Sequence, residues 1–194
     1  MLALIKNLFI RKDPPISDYE TLTRYIKENA AIISGEIVMK YSLKRLGKLH
    51  FKMVLNDDYS GELVVAQAKI HRLVIADLGS IVLSVISGKK YRDPLNKDLN
   101  RFHADYLASV PERFSDKIPA MSQPVEAIVL DMKIIAERTG TTINSCLPMI
   151  ENLTGNTEMI FRNQIRLVYI EFLRRLKINL TKGNFPDLKN PLNA

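Results

Sequence analysis

The sequence predicts an all-α protein, a single-domain bundle of about five to seven helices around a central apolar helix over residues 60–88. Three observations carry this. Apolar residues recur at helical spacing along the chain, whereas the period-two alternation of half-buried strands is clear nowhere. Proline or glycine separates successive stripes, as expected where helices start and stop. The composition is that of a folded chain, 46% hydrophobic and 25% charged in 194 residues, enough for one sizeable core. The organisation expected is an amphipathic segment over 1–12, a helical domain over 17–181 and a loose, proline- and asparagine-rich tail over 182–194.

Residues 1–12 place Leu2, Ile5, Leu8 and Phe9 on one helical face, with Lys6, Arg11 and Lys12 as the charges. Pro14 and Pro15 separate this segment from the helical domain, because a residue preceding proline avoids the helical region. Apolar face and basic residues together suit either docking on the domain or reversible contact with a partner or an anionic membrane. The next helix is expected to start at Ser17-x-x-Glu20, a capping-box pattern, and Leu22, Tyr25, Ile26, Ile33, Ile37 and Tyr41 carry it to Gly47. It is continuous or broken at Asn29 or Ser34-Gly35. Residues 48–57 fit a connector or a short extended piece.

On the central helix Leu63, Ile70, Val74, Leu78, Ile81 and Val85 form one stripe, with Gly88 expected as its stop. Asp77 interrupts the apolar part, which falls short of the roughly 20 uncharged residues of a bilayer span. Asp93-Pro94 is expected to open a further helix with the stripe Leu95, Leu99, Phe102 and Tyr106, and a turn of helix fits Glu112–Phe114. Helices are also expected over 122–140 and, interrupted by Pro148, over 142–153. The last runs from about Asn156 to Leu180, with Phe161, Ile165, Val168, Phe172 and Leu176 on one face and Arg162, Arg166, Arg174 and Lys177 around the other. The similar runs ENLTGN and INLTKGN read as helix-ending turns; their Asn152 and Asn179 match the glycosylation pattern, which carries little weight without a secretion signal.

The formal charge of +7 favours an acidic partner: nucleic acid, an anionic membrane or an acidic protein. The lone Cys146 precludes an internal disulfide and suits a reducing compartment. His50, His71 and His103 carry no metal-ligand spacing, and neither a nucleophile elbow nor a phosphate-binding glycine loop is present, so no cofactor and no metal are expected. Asp77 is the unusual position, a carboxylate beside an apolar stripe that needs a partner; Arg101, Arg138 and Arg166 are candidates. Gln67 and His71 lie towards the same side of the helix, although His71 and Asp77 do not share one helical face. The three make a candidate buried polar site. Arg162, Arg166, Arg174 and Arg175, interleaved with Phe161, Tyr169 and Phe172, make a candidate anion or nucleic-acid contact.

The run from Tyr25 through Tyr41, Arg45 and Gly47 into Lys69 and Ala76-Asp77-Leu78 resembles a small family of uncharacterised bacterial helical proteins. The resemblance covers less than half of the chain. It implies helical content and a bacterial origin, and no activity.

Without a catalytic motif, the function expected is that of a non-enzymatic interaction protein, an adaptor or assembly factor with a protein partner, in the cytoplasm or peripheral to an anionic membrane. The alternatives are nucleic-acid binding through the basic C-terminal helix and binding of an apolar small molecule near Asp77. The oligomeric state is not legible.

Overall fold

The computed structural model describes residues 13–47, 52–53, 55–87, 89–115, 118 and 158–188, with the backbone alone for 41, 44–46, 57, 89 and 158–163. Five helices stand among the described residues: α1 (Tyr19–Leu46), α2 (Asp57–Val85), α3 (Lys89–Ala108), α4 (Glu112–Ser115) and α5 (Glu158–Lys182). The all-α expectation holds. The expected helices over 122–140 and 142–153 lie outside the described residues, as does the segment 1–12.

α1 is one unbroken helix of 28 residues, not two. Its cap sits one position later than expected. Asp18, not Ser17, accepts from the Thr21 amide at 2.8 Å, and the Thr21 hydroxyl accepts from the Asp18 amide. Glu20 pairs instead with exposed Arg24. Gly35 sits inside the helix where the Gln67 side chain of α2 crosses: a Cβ would stand 3.2 Å from Gln67 Nε2. Leu22, Ile26, Ala30, Ile33 and Ile37 are buried towards α2, α3 and α5.

α2 is the centre of the fold and packs against all four other helices. Ile70, Val74, Ile75, Leu78, Ile81 and Val82 are at most 2% exposed, and each such side chain contributes about 1.5–3 kcal/mol relative to solvent exposure. The Asn56 side chain caps its start by accepting from the Tyr59 amide. Its end differs from the glycine stop expected at Gly88. Helical backbone ceases at Val85 because Ile86 turns extended and bridges Leu188, while the Ser87 amide donates to the Asp187 carbonyl at 2.7 Å.

α3 begins four residues before Asp93 and carries Pro94 inside its early turns. Tertiary contacts outweigh the local cap signal here. Tyr91 stacks on Tyr19 at 5.7 Å and donates its hydroxyl to Asp187, and Lys90 pairs with the same carboxylate at 2.7 Å. Contacts thus hold Lys90 and Tyr91 in the first turn.

The end of α5 departs most from expectation. Phe185 returns its amide to Leu180 and Asn184 returns its own to Thr181, with Asn184 at φ 51°. That is a Schellman end with asparagine in the left-handed position. Phe185 is buried and Leu188 bridges Ile86, so residues 183–188 are packed structure and not the start of a loose tail.

Candidate interaction surface

The three polar residues of α2 expected to share a buried site do not form one: His71 and Asp77 are buried and Gln67 is half-buried. Gln67 meets Gly35 of α1, His71 meets α3, and Asp77 meets α5. Asp77 is turned about 120° from His71 at about 100° per residue, whereas Gln67 and His71 are about 40° apart and separated by one turn along the axis. Asp77 is fully buried and accepts from the Tyr169 hydroxyl at 3.1 Å. Of the arginines expected to meet it, Arg101 pairs with Asp98 on α3 at 2.8 Å, Arg166 is exposed, and Arg138 lies outside the described residues.

His71 and His103 pair Nδ1 to Nδ1 at 2.9 Å, one ring donating and the other accepting, and both are buried. The Tyr106 ring stacks parallel on His71 at 4.1 Å. Burial lowers the His71 pKa to about 3, aided by the neighbouring imidazole, and lowers that of His103 to about 4, aided by the positive charge of Arg72. Burial also pushes the Tyr106 phenol up to about 12. At neutral pH the trio is therefore uncharged, a polar contact that aligns α2 with α3. No group of three or more potential metal ligands occurs among the described residues.

The four arginines expected to form one basic contact are separated. Arg175 is buried and forms an ion pair with Asp13, with the Asn179 amide also reaching that carboxylate at 3.5 Å. Arg174 is exposed and held by Glu171 through two hydrogen bonds of 2.8 and 2.6 Å. Arg166 is exposed, while the Arg162 side chain lies outside the described ones. Tyr169 and Phe172 are buried against α2 and Tyr25, so they offer no stacking platform for bases. Asn179, buried beside Asp13, is not accessible as a glycosylation acceptor.

The Asp13 pair belongs to a strap. Residues 13–18 lie across the end of α5, where the buried Ile16 donates its amide to the Asn179 carbonyl at 2.9 Å. Gly183 makes this crossing possible, since a Cβ there would stand 2.0 Å from the Ile16 oxygen. Periodicity could not reveal it, because residues 13–16 carry no helical repeat. The strap holds Asp13 and Ile16 against the C-terminal part of α5.

The opposite half of α5 carries a feature that the stripe pattern did not reveal. Ile165, Tyr169, Phe172, Leu176 and Leu180 face the core, yet Leu167 is 63% exposed, Ile170 42% and Ile178 38%. Spacings of three and eight residues put these three within about 80° of one another, near the middle of the exposed half and not at its edges. Arg166, Arg174, Lys177 and Lys182 are also exposed on α5, and among its described side chains Glu171 is the one carboxylate. Apolar residues on both faces were visible in the sequence; only the core-facing set has close enough spacing to catch the eye. Among the described residues the other strongly exposed large apolar side chains, Met39 and Leu55, are on separate elements.

A shallow depression lies between α1 and α5, lined by Ile33, Ile37, Ile165, Val168 and the Glu36–Lys40 ion pair. It has room for about one water, too little for an apolar ligand, and Asp77 does not line it. Among the described residues no helix is long and apolar enough to cross a membrane. No family model matches the chain, and no curated protein or solved structure matches it.

Proposed function

We propose that this protein is a helical interaction module, an adaptor or assembly factor acting in the cytoplasm by binding rather than by chemistry, and that it docks through the exposed half of α5. The observation that supports this is the exposure of Leu167, Ile170 and Ile178 on one face of α5, where the Arg174–Glu171 ion pair separates Ile178 from the other two and Arg166, Lys177 and Lys182 stand around them. Single exposed apolar residues are ordinary, whereas several on one helical face with a charged border are the pattern of an interface. The buried imidazole pair and the Asp77–Tyr169 bond serve packing in this reading, because each joins two helices within the core.

A photo-reactive amino acid at position 170, compared in cells with one at exposed Lys69 of α2, tests the proposal. Adducts with another molecule should form from position 170 well above those from position 69. Equal yields, or adducts from 170 only to residues of the same chain, would refute it.

A further inference from the structure

We propose that the C-terminal part of α5, together with Tyr25 of α1, forms a peptide site for an acidic residue followed three positions later by an aliphatic one, and that the strap is its displaceable resident. The partner it fits is an extended protein segment of that pattern. This site is separate from the exposed half of α5. The strap shows what the site selects. The Asp13 carboxylate and Ile16 are its two buried anchors, whereas Pro14 and Pro15 between them are exposed. At the first anchor Arg175 pairs with the carboxylate, and the Asn179 side-chain amide reaches it at 3.5 Å. At the second the Ile16 amide donates to the Asn179 carbonyl at 2.9 Å, where the missing side chain of Gly183 leaves room for the crossing. The two prolines restrict the backbone to extended conformations, so little freedom is lost on seating.

One group in the site is left over by this occupant. Tyr25 is 5% exposed, and its hydroxyl adjoins Asp13, Arg175 and Asn179 yet makes no hydrogen bond of normal length among the described residues. Burial raises its pKa, so it stays a neutral donor at physiological pH. An unpaired buried donor is costly, and an incoming carboxylate that met Tyr25 as well as Arg175 would be held better than Asp13 is. Nor does the ion pair lock the strap in place. Taking both charges out of water offsets most of their attraction, so the pair selects for an acid more than it adds net affinity. A second acid can therefore take the place of Asp13, and until it does the strap acts as an autoinhibitory contact.

Titration of the full chain with a fluorescent, end-blocked peptide of residues 13–17 tests this. D13A/I16S removes both anchors of the strap, and D13A removes one. The peptide should bind D13A/I16S at least about tenfold more tightly than the wild type, whose own strap competes for the site, with D13A in between. R175M added to either variant should weaken binding by at least about tenfold, and so should asparagine in place of the aspartate of the peptide. Near-UV circular dichroism checks that each variant is folded. No binding to the folded variants, or binding indifferent to R175M or to loss of the acid, would overturn the proposal. So would unfolding of both D13A/I16S and D13A, since an occupant whose loss unfolds the domain cannot be exchanged.

Discussion

Acidification should loosen this protein through the His71–His103 pair. Their folded pKa values of about 3 and about 4 lie below the ordinary 6.5, so the unfolded chain takes up protons first as the pH falls. The stability tied to the neutral rings is present above about pH 6.5 and is lost progressively as the pH descends towards the folded values. Between about pH 7 and pH 5 each imidazole forfeits about 2 kcal/mol, hence about 4 kcal/mol for both. That is a large share of the roughly 5–15 kcal/mol that holds a domain together. Urea titrations across this interval, on the wild type and on H71F/H103F, separate the pair from other titrating groups. The wild type should lose about 4 kcal/mol more than the double variant between about pH 7 and pH 5. Parallel pH dependences would refute the account of the pair as buried and neutral.

The strap and the core give further expectations. Asp13→Ala should cost about 3–5 kcal/mol in chemical denaturation by leaving Arg175 buried and charged, whereas D13A/R175M should regain most of it. Gly183→Ala should displace the strap, because the new methyl would overlap the Ile16 backbone, and so expose residues 13–18 to limited proteolysis. Gly35→Ala should be neutral or stabilising in thermal melts. There the close atom is the end of the flexible Gln67 side chain, and alanine is about 1 kcal/mol better than glycine inside a helix. Tyr169→Phe should lower stability by about 0.5–1.5 kcal/mol, the net value of a typical intramolecular hydrogen bond, here the one to Asp77.

The helical class and most of the core were legible because burial writes a 3.6-residue period into the chain: the stripe Ile70, Val74, Leu78 and Ile81 is buried as expected. Helix ends were less legible, since tertiary contacts set them. Ile86 leaves the helix to bridge Leu188, and Lys90 and Tyr91 join α3 because Asp187 holds them. Partners of buried polar groups were the least legible. Nothing in the sequence marks Asp13 as the mate of Arg175 or Tyr169 as the mate of Asp77, because pairing across the fold leaves no local pattern. The basic C-terminal helix was visible, but which of its arginines reach solvent depends on where the strap lies.

Reactivity of single cysteines tests the docking role of α5 most directly. Leu167→Cys, Ile170→Cys and Ile178→Cys, each in a Cys146→Ser background, can be labelled with a maleimide in the purified chain and in intact cells, with Ala104→Cys on the exposed side of α3 as reference. The three α5 positions should react readily when purified and be protected in cells, while position 104 reacts in both. Equal labelling of the α5 positions in both settings, or protection already in the purified chain, would contradict the assignment of this face to a partner.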